Sequence, residues 1–256
     1  MRPLMAFMKK EILELYRSGK LLLAGILFVL FGIMNPAIAK LTPWIMEISA
    51  ESLKESGMVL ESVTVDAMTS WGQFYKNMSM VLLVFIVLFS GSMTNEYQKG
   101  TLINMLTKGL ERWKVLAAKA SVLFGLWSVC YWMHYGITYG YTAYFWDNSI
   151  ASNLVWAAVC PYLFGVWLIG LVFLFSSFLN GNIAVLIGTA AAVGVNYLVG
   201  IIPKAGKYLP VQLLSSSEML NGAAKVSDFY GAMLVTLVLC VAGVGLAIVF
   251  FDRKNV

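Results

Sequence analysis

The sequence predicts an all-α polytopic membrane protein with six transmembrane helices, and three observations carry that prediction. Apolar residues fill 60% of the 256 positions and charged residues only 12%, against about 45–50% and about 25% in a soluble domain. From Asn148 to Pro203 there is no Asp, Glu, Lys, Arg or His. At about 20 apolar residues per crossing, that stretch holds two spans, with Asn180-Gly181-Asn182 as the turn between them. The apolar runs are also continuous, where a membrane barrel would alternate with period two over about 10 residues. A water-soluble enzyme is excluded at once.

Residues 1–20 precede any span. Met5, Met8, Ile12 and Leu15 recur at helical spacing, with Lys9, Lys10, Glu14 and Arg17 elsewhere around the helix, which predicts an amphipathic interfacial helix. The first span follows from Leu21 to about Ala39. Ala37-Ile38-Ala39 resembles a signal-peptidase site, but the long apolar run and the acidic Glu11 and Glu14 argue against cleavage. Residues 40–76 read as a polar, acidic loop containing Glu47, Glu51, Glu55, Glu61 and Asp66. The second span runs from about Met78 to Thr94, and a basic loop occupies 95–119. The third span, about Ala120 to Trp146, is long and aromatic. The fourth, about Leu154 to Phe178, carries Pro161, which predicts a kink. The fifth runs from about Ile183 to Ile202, a polar segment fills 203–228, and the sixth runs from about Phe229 to Phe251. The whole of 1–256 reads as one membrane domain.

An even number of spans puts both termini on one face. That face carries Arg2, Lys9, Lys10, Arg17, Lys20, Lys99, Lys108, Arg112, Lys114, Lys119, Arg253 and Lys254; the other carries Lys40, Lys54, Lys76, Lys204, Lys207 and Lys225. Twelve against six places the termini in the cytoplasm by the positive-inside rule, and makes 40–76 and 203–228 external. The basic balance thus reports topology, and gives no reason to expect nucleic acid.

The chemistry open to the chain is narrow. Ion-coupled transport needs ionisable groups deep in the membrane, and the spans offer only His134. A phosphate-binding loop needs G-x-x-x-x-G-K-[ST], and the nearest match, GIIPKAGKY from Gly200 to Tyr208, is one residue too long and ends in Tyr. Ser90 or Ser92 with His134 would be the elements of an intramembrane hydrolase, without a supporting motif. Cys130, Cys160 and Cys240 sit in apolar runs without metal or redox spacing, and one histidine assembles no His-rich metal site.

The loop from Asn95 to Ala120, NEYQKGTLINMLTKGLERWKVLAAKA, is more readable. Gly100 suits a left-handed helix terminus, Thr101 an N-cap, and Leu102 to Lys108 a short helix exposing Leu102, Ile103, Met105 and Leu106 to a partner groove or to the membrane surface. Glu111-Arg112-Trp113-Lys114 re-enters the bilayer with an interfacial tryptophan.

Here the sequence resembles the permease subunits of ABC-2-type ABC transporters. The match is Glu96-x-x-x-Gly100-Thr101-Leu102, followed by Leu106 and the basic re-entry from Arg112 to Lys119, within a leader-plus-six-span order that covers nearly the whole chain. Lys207-Tyr208-Leu209-Pro210 and the following SSSEMLNG look like the family's external half-helices before helix 6; the long acidic loop departs from minimal members. The resemblance implies a pathway formed by two permeases, as a homodimer or a heterodimer, and driven by two separate ATP-binding subunits. ATP and Mg would be bound there, and this chain would hold no cofactor and catalyse nothing by itself. It makes the short helix a cytoplasmic coupling helix, with Glu96, Gly100, Thr101, Leu102, Met105 and Leu106 meeting the ATPase subunit. Export of an amphipathic peptide, antibiotic or lipid-like substrate suits the apolar spans. A non-transporting membrane sensor or assembly protein and an intramembrane enzyme are the alternatives.

The candidate substrate surface is one side of the third span: Trp127, Tyr131, His134, Tyr135, Thr138, Tyr141, Thr142 and Phe145. Polar tips in hydrocarbon need partners or water, so this stripe faces either a pathway or the packed interior. Asn196 and Tyr197 in the fifth span read the same way. His134, near the midpoint of its run, is expected to be a hydrogen-bonding imidazole.

Overall fold

Lys20 opens a helix that two prolines do not end. In the computed structural model, which describes residues 2–54, 65–98, 100, 102, 107 and 111–253, α2 runs unbroken over Lys20–Lys54, 35 residues, with Pro36 and Pro43 inside it. At 1.5 Å per residue it is about 52 Å long, well beyond a hydrocarbon core of about 30 Å. The helix before it, α1 (Arg2–Arg17), is separated from it by Ser18 and by Gly19 at φ +73°. α3 (Ala67–Phe89) begins at a capping box: Asp66 Oδ1 accepts the Thr69 N–H at 3.0 Å, and the Asp66 N–H donates to Thr69 Oγ1. That box satisfies two orphan amides. The segment read as a loop from residue 40 to 76 is therefore helical on both flanks, and α3 starts eleven residues before the expected Met78.

Ser90 breaks the second crossing, and α4 (Gly91–Gln98) continues it. α5 spans Arg112–Phe145, α6 Leu154–Phe178, α7 Asn182–Gly200, α8 Pro203–Gly206 and α9 Tyr230–Arg253, with 3₁₀ segments at Asn148–Ile150, Pro210–Met219 and Val226–Phe229. Six of the described stretches are long and apolar enough to cross a membrane, as the sequence predicts. The segment before the last crossing is built from α8 and two 3₁₀ segments, the longer of ten residues.

Proline inside a helix removes one N–H and strands the carbonyl four residues earlier. Both central prolines are answered by hydroxyls from other elements. Pro36 strands the Gly32 carbonyl, which accepts Thr138 Oγ1–H at 3.0 Å. Pro161 strands the Ala157 carbonyl, which accepts Ser216 Oγ–H at 2.9 Å. The neighbouring Ala158 carbonyl accepts Tyr131 Oη–H at 2.5 Å. Such side-chain replacement is what makes proline tolerable inside a bilayer, and α6 runs through Pro161 as one helix.

α5 is the central post, packed by α1, α2, α3, α6 and α9. Two glycines set how closely its neighbours approach. A Cβ on Gly165 of α6 would lie 2.2 Å from the Trp127 ring, and one on Gly32 of α2 would lie 2.9 Å from Ile137. α7 is the least enclosed of the described crossings, with Ile183, Ile187, Val195 and Leu198 exposed.

Candidate functional site

The face that carries both chain ends holds a closed ring of alternating charge. α1 packs Phe7, Met8, Glu11 and Leu15 inward and leaves Met5, Ile12 and Tyr16 exposed, so only part of the apolar stripe expected at the membrane surface stays free. Lys10 Nζ reaches Glu11 Oε1 (3.0 Å), Glu14 Oε2 (2.6 Å) and Glu96 Oε1 (2.7 Å). Lys119 Nζ reaches Glu11 Oε2 (2.6 Å) and Glu96 Oε1 (3.2 Å). Each of Glu11 and Glu96 is thus bridged by both lysines, and the ring ties α1, α4 and α5 together. The Lys119 side chain is 2% exposed and that of Glu96 6%.

The three carboxylates converge as they would around a cation, with ligand oxygens within 4.8 Å of one another, and the Lys10 ammonium fills that place with its three N–H bonds. Burial alone would lower the Lys10 pKa; hydrogen bonds to Glu14, Glu96 and Glu11 outweigh it and hold the ammonium above its ordinary value. Glu96 was singled out by its motif, whereas Glu11 and Lys119 were missed. The signals were there: Glu11 shares a helical face with Phe7, Met8 and Leu15, and Lys119 stands among Ala117, Ala118 and Ala120, where a solvated lysine is out of place.

The ring anchors one foot of the loop that follows α4. Gly100 has φ +65° and donates its N–H to the Tyr97 carbonyl, the left-handed terminus its position calls for. Leu102 is buried in the core, against the expectation that it faces outward; its apolar side chain finds its cover within the chain. Thr101, Met105 and Leu106 lie outside the described residues. The other foot is Arg112, whose guanidinium donates to the Phe251 and Asp252 carbonyls (3.1 and 3.2 Å) at the end of α9. A cation suits the negative end of a helix dipole. Tyr97 also packs its ring against Phe251 at 6.1 Å. At the re-entry Glu111 accepts from Lys114 and from Trp113 Nε1, and these contacts, Lys114 foremost, hold its carboxyl below the ordinary range.

The polar side of α5 faces inward. Tyr131, His134 and Thr138 are fully buried, Tyr135 is half-buried and Tyr141 is exposed. Asn35 Nδ2 donates to His134 Nε2 and to Thr138 Oγ1, each at 3.1 Å, while Asn35 Oδ1 accepts from Asn77 Nδ2 at 2.8 Å. Asn77 thus orients the Asn35 amide, whose nitrogen is shared between His134 Nε2 and Thr138 Oγ1. Phe74 stacks on the imidazole at 4.8 Å. Thr142 meets Ser70 at 2.7 Å. Asn196 accepts the Val211 N–H at 3.0 Å, capping the 3₁₀ segment that Pro210 begins. Ser90 donates to Asn182 at 2.7 Å, so it and His134 are engaged with different partners.

Two cavities flank these groups. One, about 320 Å³, borders the ring and is lined by Glu14, Ser18, Lys20, Ser92 and Asn95 as well as the ring residues. The other, about 410 Å³, lies between α3, α6 and α7 and is almost wholly apolar, with Leu82, Ile86, Phe164, Leu168, Leu186 and Val193 on its walls and Ser79, Thr189 and Tyr197 as its polar points.

The chain is similar to the uncharacterized transmembrane protein YxlG of Bacillus subtilis (strain 168), 25% identical over 252 residues that cover 94% of this chain and 93% of the relative. Residues 5–256 match the family described as ABC-2 family transporter protein. With six apolar crossings and a match over almost its full length, the chain belongs to the ABC-2 family of transporter proteins.

Proposed function

We propose that the chain is the membrane-spanning permease subunit of an ABC exporter, working as a homodimer with two separate ATP-binding subunits that bind ATP and Mg. The observation that carries this reading is the bracing of the loop between Gln98 and Glu111. One foot is held by the charge ring and the other by Arg112 on α9, so a push on the loop is delivered to α1, α4, α5 and α9 together. The twelve-to-six distribution of basic residues supports cytoplasmic termini in the cell membrane, which puts this loop where ATP-binding subunits are found.

The substrate reading follows the larger cavity. Its volume falls within the about 300–1,000 Å³ of small-molecule sites, and its apolar walls with a few polar points suit the tail of an amphipathic peptide, antibiotic or lipid. In this reading Tyr131, His134, Tyr135, Thr138 and Asn196 hold the helices that shape the pathway. The test is purification of the tagged chain from its own cell. An ATP-binding protein is expected to co-purify, and Gly100→Val and Leu106→Asp are expected to abolish its substrate-stimulated hydrolysis while membrane insertion persists. Full coupled activity in both variants would remove the loop from the docking role.

A further inference from the structure

Glu96 stands near the C-terminal end of α4, where the helix dipole disfavours a carboxylate, and it is buried there. A buried ion pair is in general no more stable than apolar residues of the same volume, so stability alone does not account for a ring of four buried or half-buried charges. What the ring does supply is a fixed register between α1, α4 and α5. It joins them at an informative place. α4 is a separate eight-residue helix, divided from α3 at Ser90, and Glu96 lies four residues before the left-handed turn at Gly100. A displacement of the loop at this foot is therefore passed to Glu96. Room to respond is present: the 320 Å³ cavity borders the ring, and Glu96 Oε2 is buried without a hydrogen-bond partner among the described residues, leaving that oxygen to take over a lysine when the other lets go.

We infer that Glu11 and Lys119 are positioning residues of an ionic joint through which the loop moves α1 against α5. The joint rests on the permease reading given above and adds α1 to its moving parts. During each cycle Lys119 and Lys10 exchange hydrogen bonds between the oxygens of Glu11 and Glu96, so that α1 shifts with α4 without any charge leaving its counter-charge.

The experiment uses the full chain in complex with its co-purifying ATP-binding protein, reconstituted in nanodiscs. Spin labels at Ile12→Cys on α1 and Ser121→Cys on α5, both exposed positions, report the distance between the helices without nucleotide and with MgATP plus vanadate. The wild-type complex should show a nucleotide-dependent change. Glu11→Gln and Lys119→Gln should still bind the ATP-binding protein yet lose that change, and the ratio of substrate-stimulated to basal hydrolysis should fall at least tenfold. The apolar pair, Glu11→Leu with Lys119→Met, removes both charges together and leaves Lys10 paired with Glu96; it carries the test if the single variants fail to fold, and should assemble yet stay uncoupled. A nucleotide-dependent shift that persists in the single variants or in the apolar pair would overturn the joint while leaving the permease reading intact. A wild-type chain that binds no ATP-binding protein would overturn both.

Discussion

Thr138 on α5 donates its hydroxyl to the Gly32 carbonyl on α2 at 3.0 Å, the carbonyl whose helical partner Pro36 removes. Ser216 repeats the arrangement for Ala157 and Pro161. Two unrelated pairs of elements thus use one solution, and each proline fixes where a neighbouring helix must stand.

The proline pairing is testable by a double-mutant cycle. Ser216→Ala should cost about 1–3 kcal/mol, the penalty of a buried carbonyl left unpaired. In a Pro161→Ala background the restored backbone N–H takes that carbonyl, and the same change should cost little. Thermal unfolding of the four purified variants in detergent measures the difference; equal costs in both backgrounds would dismiss the pairing.

Gly165 should tolerate no larger residue while Trp127 faces it. Gly165→Ala places a methyl carbon inside the indole ring's contact distance and should destabilise by about 1–3 kcal/mol, the usual range for overpacking. Trp127→Leu should relieve part of that loss, at its own cost in packing and in the Trp127 bond to the Tyr162 carbonyl. Non-additive melting temperatures are the expected signature.

Opening the charge ring should be expensive in a specific way. Lys119→Met leaves Glu11 and Glu96 with one lysine between them, and removing one partner of a buried pair costs about 3–5 kcal/mol. Glu11→Leu combined with Lys119→Met should recover much of that loss, since Lys10 and Glu96 remain paired. A double variant weaker than Lys119→Met alone would mean that the ring is held by packing.

Truncation of the α5 interior should lower stability and spare selectivity. Tyr131→Ala empties a fully buried site and should cost about 3–5 kcal/mol. His134→Ala leaves Asn35 one donor short of a partner and should cost less. If the larger cavity is the pathway, neither change alters which peptides or lipids stimulate hydrolysis. A changed stimulation profile in a variant of intact assembly would move the pathway to α5.

Sidedness has a clean chemical readout because Cys130, Cys160 and Cys240 are buried and free. The parent chain should label weakly with an impermeant thiol reagent. Glu218→Cys and Ser56→Cys should label in intact cells, and Lys108→Cys only after permeabilisation. Labelling of Lys108→Cys from outside would reverse the orientation.

Much of this architecture is legible in the chain, and the parts that are not have physical reasons. Six crossings follow from run length, and Gly100 follows from its φ requirement. The start of α3 was hidden because Gln73, Lys76 and Asn77 look like loop residues, although the Asp66-x-x-Thr69 box marks the cap. The inner face of α5 was visible as a polar stripe, but its partners Asn35 and Asn77 sit on other helices, beyond any local pattern. Glu11 and Lys119 are 108 positions apart, so nothing in helical periodicity could pair them. Leu102 was expected outside because a short loop helix offers no hint of what covers it.

The ring has one more property, which concerns voltage. Moving one elementary charge through the membrane field takes about 2.3 kcal/mol per 100 mV. Lys10, Glu11, Lys119 and Glu96 sum to zero and stay in mutual contact. The two members carried by α1, Lys10 and Glu11, cancel, so moving that pair with α1 does no net electrical work. Neutralising either one would leave a net charge in the field and make the movement sensitive to membrane potential.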